Sequence, residues 1–434
     1  MSPELLTIGM FGALLVLIML GVSLSFALGG VAVVFTLILS GPIGLFPMIS
    51  AVFGSMWSIL LSAVPFFVFM GVALARSTIS ANLYQAFFLW SGRVNGGLLL
   101  GTSGFAAALS AMTGSCAAST LTTGKVGMPA MEKHGYDRLF ALGTIGAAGT
   151  LGILIPPSIT LIVIGMTTGA SIGRLFMGGL IAGVLVLAVI LAYVALRSWM
   201  HPALAPATGQ AVPIGQKIVA LRSVVVPLLI VASVLMTIFM GLATPTEAAA
   251  VGAMAVFLAV ALRGEVSLRF IREVSYETAA TTGMVIWILF GATAFVSVYS
   301  AGGGISFMRG LLLGADIPPW VMIVLMQLIA LVLGMFLDPI GIILLVLPIF
   351  FPVVVALGFD PIWFCIIFQL NLCIGYITPP FGYNIFYLKS LSPRTPILQL
   401  YRAVMPYVFL MIGTGIVLLL FPSILIEGTR YLVR

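Results

Sequence analysis

The residues of this sequence whose types and spacing favour chemistry lie at two breaks in long apolar runs. The first break, Gly149–Ser158, contains two consecutive prolines and lies within the uncharged run 139–166. The second, Gly375–Pro380, lies within the uncharged run 361–388. Proline lacks a backbone N–H and glycine weakens a helix, so both segments leave backbone carbonyls without helical partners. Free carbonyl oxygens are ligands for hard cations, which makes both breaks candidate cation sites.

A polar residue precedes each break at the same distance. Asp338 is the only charged residue between Ile317 and Phe359, and the flanking Gly334 and Pro339 indicate a turn. Ser115 stands 223 positions earlier, which is also the separation between the two proline pairs. Further hydroxyl residues surround it. Hydroxyls, carbonyls and one carboxylate form an oxygen-only donor set, which suits a sodium-like cation better than a transition metal.

The elements that position these residues are predicted to be membrane-spanning helices. Of the 434 residues, 62% are hydrophobic and only 7% are charged, whereas soluble proteins carry about 25% charged residues. The chain is therefore predicted to be an all-α polytopic membrane protein that lies in the lipid bilayer. Ten apolar runs are long enough to span it. They are 5–28, 31–45, 52–75, 139–166, 175–196, 224–242, 248–262, 279–298, 361–388 and 404–424.

Charge and motifs argue against several other functions. The net charge of +7 comes from basic residues concentrated in alternate loops, which indicates topology rather than nucleic-acid binding. The fragment Gly124–Val126 lacks the upstream glycine and the Ser or Thr of a P-loop, so no nucleotide site is predicted. Asp338 has no second intramembrane carboxylate at the matching position, which argues against an enzyme. The three cysteines are predicted to be buried thiols.

The chain is predicted to consist of two halves with inverted topology. Residues 1–198 and 223–434 each contain five of the predicted spans, and a cytoplasmic linker at 199–222 joins them. Five is odd, so the second half enters the membrane from the opposite side. The loop charges agree, because Arg93 in the first half corresponds to Asp316 in the second. The same charge bias predicts that both termini lie outside the cytoplasm.

Two further apolar stretches, at about 98–133 and about 317–356, are predicted to be re-entrant hairpins with Ser115 and Asp338 at their tips. In the alternative, each stretch is one or two ordinary spans with a polar kink. The hairpin is favoured because tip and proline pair are 41 positions apart in both halves. Helix N-termini at the tips would present positive dipole ends, which suit a carboxylate substrate.

Two polar side chains near the second break, Asn371 and Asn384, have two interpretations. They line the same cavity and contact the substrate, or they form interhelical hydrogen bonds. A channel or scaffold protein is the rival from another functional class. A channel predicts a continuous polar path, whereas the polar residues here cluster at the predicted midplane. The pattern therefore favours a secondary transporter with two broken helices.

The residues described above resemble the large membrane subunit of tripartite ATP-independent periplasmic (TRAP) transporters. The segments that carry the resemblance are Gly149–Ser158, Gly114–Ser115, Ala243–Ala248 and Asp338–Pro339. The resemblance covers essentially the whole chain. It implies an elevator-type secondary transporter of the bacterial inner membrane, driven by sodium ions and using no nucleotide. It also implies two protein partners, a periplasmic substrate-binding protein that delivers an organic acid and a small four-helix membrane subunit from another chain.

The resemblance also implies a set of site residues. The first sodium site would use Thr113, Ser115, Gly152, Ile155 and Pro157, and the second would use Gly334, Gly375 and Thr378. Asp338 and Ser115 would lie near the substrate. Cys116 departs from the family, in which a serine is common at this position of the first tip. Glu247 is expected to be a helix N-terminal charge rather than a ligand.

The resemblance leaves the substrate open among a four-carbon dicarboxylate, sialic acid, another sugar acid and a keto acid. Selectivity in such systems rests largely with the binding protein. The rival within transport is a self-sufficient sodium- or proton-coupled carboxylate or anion carrier, which shares the hairpin plan but needs no binding protein.

Overall fold

The computed structural model describes residues 1–91, 94–207 and 213–432. Within these ranges the regular structure consists of α-helices and short 3-10 segments. The α-helices are α1 (Pro3–Met19), α2 (Leu24–Ser40), α3 (Leu45–Met56), α4 (Ala63–Arg76), α5 (Thr78–Ser91), α6 (Gly97–Thr113), α7 (Cys116–Lys133), α8 (Arg138–Thr150), α9 (Ile159–Thr168), α10 (Ile172–Met200), α11 (Ile214–Phe239), α12 (Pro245–Leu262), α13 (Leu268–Ala301), α14 (Gly304–Gly314), α15 (Pro319–Gly334), α16 (Pro339–Ala356), α17 (Pro361–Gly375), α18 (Tyr383–Leu391), α19 (Ile397–Leu420) and α20 (Ser423–Leu432). Arg93, which entered the charge argument, lies outside the described residues, as do positions 208–212 of the predicted linker.

Seven helical segments of the described chain are long and apolar enough to cross a membrane. They are Ile59–Arg76, Ile172–Met200, Ile214–Phe239, Pro245–Leu262, Leu268–Ala301, Pro339–Ala356 and Ile397–Leu420. Other predicted spans are divided into shorter apolar helices, among them the two that contain the proline breaks. An all-helical chain with this many apolar segments is a multi-pass membrane protein.

The predicted boundary between the runs 5–28 and 31–45 is wrong. α1 ends at Met19, and Gly21 adopts a φ of +83°, a left-handed conformation that ends helices. α2 then passes through the two adjacent glycines at 29 and 30 without a break. Glycine in a helix interior costs about 1 kcal/mol without ending the helix, and packing in α2 overrides that cost.

Two other predicted runs also contain a helix end. Within 52–75, α3 stops at Met56, and a 3-10 segment over Ile59–Ser62 leads into α4. No proline or glycine lies between positions 55 and 62, so the sequence carries no local signal for this break. Within 404–424, α19 stops at Leu420, because Pro422 cannot donate the next backbone hydrogen bond.

Helix boundaries recur between the two halves of the chain. α7 and α16 begin at Cys116 and Pro339, and α8 and α17 begin at Arg138 and Pro361, so both pairs are 223 positions apart. An aspartate caps both α8 and α17, and its carboxylate accepts a backbone N–H at 2.7 and 2.9 Å respectively. The two halves differ at α13. It is one continuous helix of 34 residues, whereas the matching region of the first half is divided into α3, a 3-10 segment and α4.

The helices of the two halves interleave in two groups. In the first, here called the framework group, α2 packs on α13, α4 packs on α12 and α13, and α5 packs on α11. In the second, here called the tip group, α7 packs on α8 and α18, α9 packs on α16, α15 packs on α17, and α19 packs on α8. α6 and α16 lie between the groups, because α6 contacts α4 and α5 while α16 contacts α13 and α14.

Candidate functional site

The first tip joins α6 to α7. α6 ends at Thr113, and Gly114 turns the chain with a φ of +60°, a conformation that favours glycine. Ser115 is the N-cap of α7, where its Oγ accepts the N–H of Ala118 at 3.4 Å. The N–H of Ser115 donates to Oγ1 of Thr113, also at 3.4 Å. Two hydroxyls of the predicted site therefore converge on one tight turn.

The first tip lies directly against the first break. The break contains a 3-10 turn and a cis peptide bond between its two prolines. An ideal Cβ added to Gly152 would lie 2.6 Å from the carbonyl carbon of Ser115. One added to Gly114 would lie 2.6 Å from the carbonyl oxygen of Pro157. Only glycine allows backbones to approach this closely, so the structure brings Ser115, Gly152 and Pro157 together.

Ile155 lies in the same break, but its side chain packs away from the tip. An ideal Cβ on Gly183 of α10 would lie 2.5 Å from Cγ1 of Ile155. The N–H of Ile155 donates to the carbonyl of Leu151 at 2.8 Å. A ligand role for Ile155 is therefore a role for its backbone carbonyl alone.

The second tip joins α15 to α16 and approaches the second break in the same way. α15 ends at Gly334, and an ideal Cβ added to Gly375 would lie 2.5 Å from the carbonyl carbon of Gly334 and 2.9 Å from its oxygen. Asp338 is the N-cap of α16, and its Oδ1 accepts the N–H of Ile340 at 2.9 Å. The positive end of the α16 dipole thus faces the one carboxylate of this stretch.

The two breaks differ in exposure. Every residue from Gly149 to Ser158 is buried, whereas Pro380 in the second break is exposed, and Phe381 directly after it is 50% exposed. Thr378 is buried, and its hydroxyl donates to the carbonyl of Ile374 at 2.6 Å. Its oxygen lone pairs stay free to accept a hydrogen bond or to contact a cation. Phe381 also contacts Phe336 of the tip, with ring centroids 5.7 Å apart.

Cys116 follows Ser115 at the start of α7. Its Sγ donates to the carbonyl of Thr150 at 3.2 Å, so the thiol satisfies a backbone carbonyl of the first break. All three cysteines of the chain are free and buried, as predicted. Glu247 also has the predicted role, because it forms a capping box with Thr244 at the start of α12.

The two asparagines have different surroundings. The amide of Asn371 donates to Oε1 of Gln327 at 2.7 Å, which ties α17 to α15. This contact is the interhelical hydrogen bond that the sequence left as one alternative. The amide of Asn384, at 0% exposure, donates to the carbonyl of Gly146 at 2.7 Å and ties α18 to α8. Its Oδ1 has no partner within the described part of the chain.

Gln369 of α17 is a site residue that sequence reasoning missed. Its amide nitrogen lies 2.8 Å from both the carbonyl of Ile153 and Oγ1 of Thr160, so the second half supports the first break. The hydroxyl of Ser158 donates to the same carbonyl at 2.7 Å. A buried glutamine in an apolar run was the available signal, but its partner lies more than 200 positions away. Together with Asn384, it braces the two broken helices against each other.

The donor set at the tips fits a hard cation. Among the described residues, no group of three or more His, Cys, Asp or Glu side chains is placed to hold a metal. What the tips and breaks present instead are backbone carbonyls, the hydroxyls of Thr113, Ser115 and Thr378, and the carboxylate of Asp338. Such oxygen ligands suit ions like sodium.

Two broken helices with two helix tips packed against them, in an all-helical membrane protein, are typical of a secondary transporter. The family model described as "Tripartite ATP-independent periplasmic transporter, DctM component" matches residues 11–424. The chain therefore belongs to the DctM family of TRAP transporter components.

Individual relatives agree with this assignment. The C4-dicarboxylate TRAP transporter large permease protein DctM of Pseudomonas aeruginosa is 30% identical over 84% of this chain and 84% of its own length. The sialic acid TRAP transporter large permease protein SiaM of Vibrio cholerae is 30% identical over 90% of each chain. The isethionate TRAP transporter permease protein DctMQ of Oleidesulfovibrio alaskensis is 29% identical over 96% of this chain, which spans 65% of that longer protein. These relatives are named as transporter permeases, not as enzymes.

A solved structure supports the fold. The YdaH transporter of Alcanivorax borkumensis superimposes with a TM-score of 0.62 at 18% sequence identity, covering 89% of each chain. At this identity the similarity concerns the fold alone.

Proposed function

We propose that this protein carries out sodium-coupled secondary active uptake of an organic acid across the bacterial inner membrane. In this proposal both termini face the periplasm, and the two halves are inverted repeats whose hairpins at about 98–133 and 317–356 are re-entrant. A periplasmic binding protein delivers the substrate, and a small membrane subunit supports the framework group. The tip group then moves relative to the framework group in an elevator motion.

The observation that carries the proposal is the contact between each tip and its break. Gly152 lies against Ser115, and Gly375 lies against Gly334, in both cases at distances that admit no side chain. In a helix interior, backbone carbonyls accept intrahelical hydrogen bonds. At these two matching places, carbonyls without such partners lie beside hydroxyl groups. Two equivalent oxygen-rich sites favour coupling to more than one small cation.

Asp338 and Ser115 support the assignment of the substrate site. Both lie at the N-terminus of a helix, and both are partly exposed while the residues directly before and after them in the chain are buried. The helix dipoles favour an anionic group of the substrate at this point. Sodium ions at the adjacent carbonyls would add positive charge and compensate the carboxylate of Asp338, so that an organic acid could bind beside it.

The substrate class follows from this chemistry and from the relatives. The substrates named for two relatives, C4-dicarboxylates and sialic acid, carry carboxylates, and isethionate, named for a third, carries a sulfonate. We therefore propose a small anion with a carboxylate or similar group. The notable alternative is a self-sufficient sodium- or proton-coupled carrier, which would use the same tips without a binding protein.

The test is uptake of labelled organic acids into proteoliposomes under an inward sodium gradient, with and without the small subunit and the binding protein. We expect uptake that needs sodium and both partners. Replacing sodium by potassium is the matched ionic control. Uptake by the chain alone would favour the self-sufficient carrier, and uptake unchanged without sodium would refute the coupling.

A further inference from the structure

A cavity that is mostly apolar but carries several hydroxyl groups lies outside the tips, between helices of the framework group and helices of the tip group. Its volume is about 480 Å³, within the range of small-molecule sites. One side of the cavity consists of α13 of the framework group together with α3, Ser58 and the start of α14, and the opposite side consists of α9 and α16. Six hydroxyl residues line it, namely Ser55, Ser58, Thr167, Thr293, Ser297 and Ser300.

Three of these hydroxyls form a row along α13. Thr293, Ser297 and Ser300 are spaced at i, i+4 and i+7, so they share one face of the helix. Helical Ser and Thr hydroxyls often donate to the carbonyl four residues earlier, as Thr167 does to Val163 at 2.8 Å. Within the described part of the chain, the hydroxyls of the α13 row form no such bond. Because these residues line the cavity, their hydroxyls are free to form hydrogen bonds with its contents.

Two helices that line the cavity start at the tips and breaks. Asp338 is the N-cap of α16, and the lining residues Leu344 and Pro348 are six and ten positions further along, which is about 9 and 15 Å of helix. α9 begins after Ser158, and its lining residue Met166 is eight positions further along, which is about 12 Å. The two helices thus lead from the second tip and from the first break to the same cavity.

The lining combines hydroxyls with the absence of charge. None of the described residues that line the cavity is Asp, Glu, Lys or Arg. Hydroxyls donate hydrogen bonds to a carboxylate or to a substrate hydroxyl, but without a cationic partner they hold an anion only weakly. Weak, repeated hydrogen bonding suits a passage that a substrate must leave again, whereas an arginine would retain it.

We propose that this cavity is a vestibule through which the organic-acid substrate passes to and from the tips, and that Thr293 and Ser297 of α13 hydrogen-bond it there. This inference rests on the proposed function, since it concerns the same substrate on its way to Asp338. It adds two specificity-determining residues on α13, and neither of them belongs to the set of site residues predicted from the sequence.

The first test uses cysteine accessibility in the complete reconstituted transporter. Thr293→Cys and Ser297→Cys are made one at a time, and the three native cysteines stay because they are buried. A charged, membrane-impermeant methanethiosulfonate should inactivate both variants, and substrate with sodium should slow the reaction at least about threefold. Met284→Cys is the matched control, because Met284 is half-exposed on the same helix but does not line the cavity.

Several outcomes would overturn the inference. The inference is wrong if the charged reagent does not react with cysteines at positions 293 and 297, or if it reacts equally fast with a cysteine at position 284. It is also wrong if substrate does not slow the reaction. Reaction with a membrane-permeant maleimide alone would indicate a lipid-filled cavity and would also refute it. If the cysteine variants take up substrate normally with sodium but substrate does not slow their reaction with the reagent, only the vestibule is refuted. If the wild-type complex shows no sodium-driven uptake, the proposed function itself is refuted.

The second test separates binding from folding. Thr293→Val keeps the side-chain shape and removes the hydroxyl, so KM should rise roughly two- to tenfold with kcat nearly unchanged. Thr293→Ser restores the hydroxyl and should restore KM. An unchanged KM in the valine variant, or a serine variant that behaves like valine, would contradict a hydrogen bond from Thr293 to the substrate.

Discussion

Gly375→Ala tests whether the contact between the second tip and its break builds a cation site. The new Cβ would lie 2.5 Å from the carbonyl carbon of Gly334, whereas ordinary contacts are 3.4–4 Å. Because the obstructing atoms are backbone, the tip must move away by about 1 Å. Such overpacking typically costs about 1–3 kcal/mol. If the displaced carbonyls are sodium ligands, sodium affinity should fall about tenfold, which corresponds to about 1.4 kcal/mol.

The assay is thermal unfolding of the purified protein in detergent as sodium replaces choline. A ligand at about 100 times its Kd stabilises the folded state by about 2.7 kcal/mol, and a tenfold weaker Kd reduces this to about 1.4 kcal/mol. Gly375→Ala should therefore lose about half of the sodium-dependent stabilisation. Gly413→Ala on α19 is the matched control, since a Cβ there meets nothing within 4 Å. A wild-type sodium response in Gly375→Ala would refute the cation site at this contact.

Three further predictions concern single side chains. Asp338→Asn keeps the N-cap but removes the charge, so uptake should fall at least about tenfold while thermal stability should not fall. Asp338→Ala should be about 1 kcal/mol less stable than Asp338→Asn in the same melts. Gln369→Leu removes the hydrogen bonds from the side-chain amide to the carbonyl of Ile153 and the hydroxyl of Thr160, so the unfolding free energy should fall by about 1–3 kcal/mol. An unchanged melting temperature would contradict the bracing role. Arg76→Ala breaks an exposed ion pair with two glutamates of α13, so it should cost less than about 1 kcal/mol, and a larger loss that persists in high salt would contradict a surface pair.

The chemistry-bearing turns could be located from the sequence because their signals are local. Proline and glycine act on the backbone of their own turn, so both breaks were found where the structure has them. Asp338 was found because charge is rare in an apolar run. The helix end at Met56 was missed, since the residues that follow it are apolar and carry no proline or glycine.

Long-range partners could not be predicted in the same way. Gln369 is visibly polar, but its contact with Ile153 joins helices from opposite halves. The hydroxyl row of α13 reads as an ordinary small-residue helix face until α9 and α16 are placed opposite it. The close approach of Gly152 to Ser115 likewise requires the tertiary structure. Periodicity describes one helix at a time, whereas these features belong to contacts between helices.

The comparison of Ser115 with Asp338 shows why the charge at the second tip needs an explanation beyond capping. The two residues occupy matching positions, and both accept a backbone N–H at the start of a helix. Serine, threonine and asparagine cap helices about as well as aspartate, so the local fold does not require a carboxylate. A charge in an apolar stretch costs about 2.5–3.5 kcal/mol on insertion scales. Because capping alone does not offset that cost, the carboxylate of Asp338 is best explained by a cation or substrate that it helps to bind, and Asp338→Asn separates the two roles.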